Sequence, residues 1–185
     1  MGDEMDEFAF QRFFGFLALA ALAGAAGLVL ARLTRHRLVP AAALTESFAQ
    51  HRLEAAWVVA AVATAGSLYF SEVAGYVPCR LCWIQRGFMY PLVVVLGVAA
   101  WRKAPGVRRV VIPWAVAGLA VSTYHYLLEW FPDTLETNVC ALDHPCSAFP
   151  FRLWHFVTLS FMAGCGFLFV ISALSLPLQP RRSSS

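Results

Sequence analysis

Long uncharged apolar runs alternate with short polar segments along the whole chain. Three runs can cross a bilayer unaided: 13–31, 110–128 and 153–176. Two more runs fall short of the roughly 20 residues that a helical span needs, and with flanking residues they extend to about 55–73 and 81–101. The pattern therefore predicts an all-α membrane protein with five transmembrane helices.

The composition supports this prediction. Of 185 residues, 59% are hydrophobic and 14% are charged, and the mean hydropathy is +0.64. A typical soluble domain has about 45–50% apolar and about 25% charged residues. This composition excludes a soluble globular fold. We expect the protein to be surrounded by membrane lipid and to have no nucleic-acid partner.

The basic residues predict an orientation. Four of the 14 Lys and Arg residues fall on one side of the five spans, namely Arg12, Arg80, Arg86 and Arg152, and the other ten fall on the opposite side. By the positive-inside rule the side with ten is cytoplasmic, so the amino terminus lies outside and the carboxyl terminus inside. The acidic residues before the first span do not resemble a basic signal-peptide start, so we expect this span to remain in the mature protein.

Four of the five cysteines fall in two loops on the predicted outer side. Cys79 and Cys82 form a Cys-x-x-Cys motif before the third span, and Cys140 and Cys146 precede the fifth. Paired thiols in an oxidising compartment form disulfides unless something keeps them reduced. Cys165 lies in the middle of the fifth span, where a lone cysteine is expected to pack as a small apolar residue.

A Cys-x-x-Cys motif at a helix start suits redox exchange. Unpaired N–H groups and the helix dipole favour the thiolate, which is the form that attacks disulfides and donates electrons. With a helix starting near Leu81, Cys82 and Arg86 are four residues apart and share a face. An arginine one turn inside an apolar helix indicates function, because a charge is costly there.

Three other interpretations stay open at this point. The four loop cysteines are also compatible with purely structural disulfides, or with a zinc site built from all four thiols. Arg86 is compatible with a side chain that only reaches to the membrane interface. Covalent haem attachment is excluded as a motif, because Trp83 stands where histidine is required.

Two segments resemble the disulfide bond formation protein B (DsbB) family. The first is Val-Pro-Cys-Arg-Leu-Cys-Trp-Ile-Gln-Arg at 77–86. The second is Cys-Ala-Leu-Asp-His-Pro-Cys-Ser at 140–147, after Tyr-His-Tyr-Leu-Leu-Glu at 124–129, and it is similar to the short-looped branch often called BdbC. The resemblance covers about 54–176. Vitamin K epoxide reductase relatives place the two cysteine pairs in the reverse order.

The resemblance implies a four-helix transmembrane bundle that acts as a membrane thiol oxidase. Such a protein reoxidises a DsbA-like thioredoxin-fold partner and passes the electrons to a quinone, either ubiquinone or menaquinone. By analogy, the partner attacks the Cys140–Cys146 disulfide and forms its mixed disulfide at Cys140, and Cys146 then engages Cys79. Cys82 is left as the thiolate that faces the quinone, with Arg86 polarising the ring oxygen or stabilising the thiolate.

His125 is the further candidate for contact with the quinone. It lies six residues before Phe131, which is roughly 9 Å of helix rise below the outer end of the fourth span. The family has a histidine near this position beside the quinone. The alternative is a buried, hydrogen-bonded histidine without a redox role.

The chain departs from the family pattern at its amino terminus. Residues 1–53 add a tail, one extra transmembrane helix and a cytoplasmic loop before the four-helix bundle at 54–176, and 177–185 form a cytoplasmic tail. The resemblance implies a multi-pass protein of the bacterial cytoplasmic (inner) membrane with its redox cysteines on the extracytoplasmic face. The competing function is a disulfide-stapled membrane scaffold without turnover.

Overall fold

A computed structural model of the chain describes residues 2–34, 47–132 and 151–176. These residues form five long helices, which we number in chain order: α1 Gly2–Thr34, α2 Arg52–Leu68, α3 Arg80–Trp101, α4 Arg108–Trp130 and α5 Leu159–Leu174. A π-helix, Tyr69–Val73, continues α2, and a 3₁₀ turn, Pro105–Val107, precedes α4. The described part of the chain contains no strand, only one isolated bridge between Leu153 and Val157.

The helices have the length and composition of membrane spans. Within the described residues, four segments are long and apolar enough to cross a bilayer: Glu7–Thr34, Arg52–Val73, Arg80–Trp101 and Pro105–Trp130. The apolar helix α5 is shorter, with 16 residues. The prediction of an all-α membrane protein is confirmed.

Helices α2 to α5 form a four-helix bundle in which each helix packs against the next and α5 closes on α2. Small side chains allow close approach, since Ala56 and Ala60 of α2 and Ala115 of α4 are fully buried in the core. A Cβ on Gly118 of α4 would lie 2.5 Å from the ring of Phe167 of α5. Helix α1 stands outside this bundle and packs on α5, as predicted for an extra N-terminal helix.

The start of the fifth helix was predicted wrongly. We expected the span to begin at residue 153, but α5 begins at Leu159. Leu153 and Val157 exchange two backbone hydrogen bonds around a turn in which Trp154 and His155 have positive φ, and Thr158 then caps the helix. Hydropathy counts the apolar side chains of this turn but does not detect its backbone conformation.

Helix α1 runs parallel to α5. In the middle of α1, Phe16 packs on Trp154, which precedes α5, with ring centroids 4.9 Å apart. At its end, the guanidinium of Arg32 donates to the carbonyl of Ser175 at 2.7 Å. The start of α1 therefore lies at the same end of the bundle as Cys79 and the start of α3, and we call this the redox end.

Candidate functional site

The Cys-x-x-Cys motif lies at the first turn of α3, as predicted. Cys79 is the N-cap of this helix, and its Sγ accepts a hydrogen bond from the backbone N–H of Cys82 at 3.2 Å. The two Sγ atoms are 2.7 Å apart. A small movement therefore brings them to the roughly 2.05 Å of a disulfide bond.

His125 joins this pair from the neighbouring helix α4. Its Nε2 lies 3.7 Å from Sγ of Cys79, and its Nδ1 is hydrogen-bonded to the side-chain amide of Gln85 at 2.8 Å. His125 is 3% exposed and Gln85 is 7% exposed, so burial and this bond fix the orientation of the imidazole. The sequence named His125 as a candidate but could not assign it a neighbour.

The surroundings of Cys79 favour its thiolate. A hydrogen bond from the Cys82 thiol, together with His125 and the backbone N–H of Cys82, holds the pKa of Cys79 well below that of an ordinary cysteine, against the opposing effect of burial. In the reduced pair the negative charge therefore lies on Cys79, and the Cys82 thiol is the donor to it.

Arg86 lies on the same helix as Cys82, one turn deeper, as predicted. It does not merely extend to the interface: its Nε donates to Oγ of Ser67 at 3.0 Å, and its Nη2 donates to the carbonyl of Ser67 at 3.1 Å. The guanidinium also lies over the ring of Trp83, 5.0 Å from its centroid. These contacts hold a positive charge beside the cysteine pair.

A cavity of about 690 Å³ joins these groups. Its polar wall is at the redox end and includes Cys79, Cys82, Gln85, Arg86, His125 and Glu129. Most of its other lining residues are apolar, and they come mainly from α1, α2 and α5. A cavity of this size with a few polar groups at one end suits a largely apolar ligand that carries a polar head.

Glu129 is a buried member of this wall that the sequence analysis did not single out. It is 7% exposed and its Oε1 accepts from Ser160 at 2.9 Å, while its Oε2 has no hydrogen-bond partner among the described residues. Oε1 also lies 3.9 Å from Nε2 of His125. The sequence could have indicated this residue, because it lies one helical turn after His125 and the two side chains therefore share one face of α4.

The second cysteine pair, Cys140 and Cys146, lies outside the described residues, so its predicted role stays a prediction. Cys165 is buried in α5, as expected for a small apolar residue. A zinc site built from all four loop thiols needs sulfur atoms about 3.8 Å apart, since zinc–sulfur bonds are about 2.3 Å long in tetrahedral geometry. The separation of 2.7 Å between Cys79 and Cys82 suits a redox pair better.

Comparison with known proteins gives a consistent result. The family model described as "Disulfide bond formation protein DsbB" matches residues 49–178. Disulfide bond formation protein C of Bacillus subtilis is 40% identical over 124 residues, which are 67% of this chain and 90% of that protein. The resemblance found in the sequence, including its BdbC-like branch, is therefore confirmed.

Two further relatives carry the name probable disulfide formation protein. The one from Oceanobacillus iheyensis is 42% identical over 138 residues, covering 73% of this chain and 95% of that protein. The one from Deinococcus radiodurans is 39% identical over 137 residues, covering 69% and 89%. No solved structure matches the chain significantly.

Proposed function

Since the chain belongs to the disulfide bond formation protein DsbB family, we propose that it oxidises an extracytoplasmic thioredoxin-fold dithiol and reduces a membrane quinone. Family membership itself makes the protein a membrane oxidoreductase of disulfide bond formation. Our proposal goes beyond family membership in three respects: the electron acceptor is a quinone, the partner is a thioredoxin-fold dithiol, and the reaction takes place on the extracytoplasmic side.

One observation carries the choice of a quinone. The cysteine pair opens into a cavity whose polar end contains a cation, a histidine and a carboxyl group and whose remaining walls are mostly apolar. A lipid-borne quinone has the matching chemistry, because its polar ring is attached to an apolar tail. A water-soluble acceptor would leave the apolar walls without a partner.

The reaction follows from the order of the two pairs. A thiolate of the partner attacks the Cys140–Cys146 disulfide and forms a mixed disulfide with Cys140. The released Cys146 then attacks the Cys79–Cys82 disulfide at Cys79, so that Cys82 leaves as the thiolate. The partner's second thiolate then breaks the mixed disulfide, so that the partner leaves oxidised and Cys140 is released. Cys140 attacks Cys146 of the Cys146–Cys79 disulfide, which restores the loop disulfide and frees Cys79. The Cys79–Cys82 dithiol re-forms its own disulfide by giving two electrons and two protons to the quinone, which becomes a quinol.

The described residues support separate roles at the electron exit. Cys82 lines the cavity beside Cys79, on the same helix as Arg86. Arg86, held by Ser67, supplies positive charge where a quinone oxygen becomes negative. His125 contacts Cys79 and is fixed by Gln85, so it is suited to hold a proton at Nε2 beside the sulfur.

We also propose the orientation predicted from the basic residues. The redox end faces the extracytoplasmic side of a bacterial inner membrane, and the amino terminus lies on this same side. The opposite end of the bundle carries Arg32, Arg52, Arg102, Lys103, Arg108 and Arg109. This distribution is the one that the positive-inside rule associates with the cytoplasmic face.

The test measures quinone reduction by the purified protein, supplied with a reduced thioredoxin-fold dithiol. The wild type is compared with Cys82→Ser and with Cys165→Ser, whose side chain lies outside the cavity. We expect turnover in the wild type and in Cys165→Ser and none in Cys82→Ser, which should still trap the partner through Cys140–Cys146. Absence of turnover in folded wild-type protein with both benzoquinone and naphthoquinone acceptors would favour the scaffold instead.

A further inference from the structure

Helix α1 lies outside the part of the chain that the family model matches, which begins at residue 49. It nevertheless forms one wall of the cavity next to the cysteine pair, with Phe14, Leu17, Ala18, Ala20 and Ala21. Phe14, Leu17, Ala18 and Ala21 follow the spacing of a single helix face. The extra helix thus presents one continuous face to the proposed acceptor site.

Polar contacts fix α1 at the redox end. Tyr76, in the loop between the π-helix and α3, donates a hydrogen bond from its hydroxyl to the carboxylate of Glu7. Gln11 donates from Nε2 to the same hydroxyl oxygen at 2.8 Å. Burial, together with the bond to Glu7, raises the pKa of Tyr76 to about 12, so the hydroxyl stays protonated and keeps donating at physiological pH.

Aromatic contacts continue this attachment toward α2. Phe10 stacks on Tyr69 of the π-helix with ring centroids 4.3 Å apart. The ring of Phe14 lies against Gly66, where an added Cβ would come within 2.8 Å of it. Because α1 contacts α2 and the π-helix here and α5 along its length, it covers the groove on the outer side of α2 and α5.

The cavity changes character along its length. Its polar groups are near Ser67, whereas the lining residues deeper on α2 are Val62, Val59 and Val58. From Ser67 to Val58 the helix rises roughly 13 Å, so a ligand seated at the cysteine pair has an apolar path of that length below it. Ala18 and Ala21 line the side of the cavity that α1 supplies.

We propose that α1 is the lateral wall of the acceptor site and that its alanine face holds the isoprenoid tail of the quinone between α1, α2 and α5. This inference rests on the proposed function and deepens it. Without α1 the groove between α2 and α5 would open to the lipid. With α1 in place, the volume left by small side chains at 18 and 21 determines how well a tail fits.

The test compares two acceptors that share one benzoquinone ring, one without a tail and one with a long isoprenoid tail. Ala21→Phe narrows the apolar part of the cavity. Ala26→Phe is the matched control, because Ala26 is exposed on the same helix and does not line the cavity. Each protein is assayed in lipid nanodiscs at saturating reduced dithiol, and the readout is the ratio of the KM for the tailed quinone to that for the tail-less one.

We expect Ala21→Phe to raise this ratio about tenfold, mainly through the tailed quinone, while Ala26→Phe leaves it unchanged. If phenylalanine at this position prevents folding, the smaller substitution Ala21→Val replaces it in the test. We expect Ala21→Val to raise the KM ratio by less than tenfold. Wild-type turnover with an unchanged ratio in both Ala21 variants would overturn the inference and leave the proposed function intact. If the wild type reduces neither the tailed nor the tail-less quinone, the proposed function itself is overturned.

Discussion

Replacing Cys82 by alanine should raise the pKa of the Cys79 thiol, because the largest contribution to its low value is the hydrogen bond from the Cys82 side chain. A hydrogen bond to a charged group contributes about 1.5–3 kcal/mol. One pKa unit corresponds to about 1.36 kcal/mol, so we expect the pKa to rise by about one to two units. Serine is the matched substitution, since its hydroxyl donates from the same position.

The assay is a pH titration of the thiolate by its ultraviolet absorbance. Cys82→Ala and Cys82→Ser are both prepared with serine at Cys140 and Cys146, so that neither protein can form a loop disulfide. A further variant with serine at Cys79 provides the background from Cys165. We expect the titration midpoint of the serine variant to lie below that of the alanine variant. Equal midpoints, or a midpoint near that of an ordinary cysteine in the serine variant, would refute the assignment of this hydrogen bond.

Two other substitutions test the packing and the cation. Gly118→Ala should lower the unfolding free energy by about 1–3 kcal/mol, because the new Cβ meets the buried ring of Phe167. Gly27→Ala should not lower the unfolding free energy, because a Cβ at this open position of α1 meets nothing within 4 Å. Thermal melts in detergent that show the same change in melting temperature for both variants would contradict this. Arg86→Lys replaces the planar fork, which donates from Nε and Nη2 to Ser67, by a single flexible ammonium that is held less firmly. We expect the KM for the quinone to rise about tenfold with kcat less affected. An unchanged KM in a steady-state quinone assay would place Arg86 outside the acceptor site.

The sequence was sufficient for features that depend on neighbours along the chain. Hydropathy located the helices because a span is a property of one continuous run. The Cys-x-x-Cys motif could be assigned to a helix start, and Arg86 to the same face as Cys82, since helical spacing alone decides both. Family resemblance then supplied the bundle, which the structure shows, and a role in disulfide bond formation, which the family match confirms.

The same local rules failed where the backbone departs from a helix. The apolar residues 153–158 were counted into the fifth span, although a hydrogen-bonded turn with two residues of positive φ precedes α5. No role was predicted for Glu129 from the sequence, yet it is a buried side chain within α4. Its carboxyl group faces a cavity built from other helices, which no local pattern shows.

Only the tertiary structure brought His125 to Cys79 and Ser67 to Arg86, since each pair joins two different helices. It also placed α1 against the cavity, although hydropathy could identify this segment only as an additional span. The physical reason is that an apolar helix face in a membrane packs almost equally well on many partners. The choice among them depends on side-chain shape and a few polar contacts, such as those of Tyr76 with Glu7 and Gln11, which form only when distant segments meet.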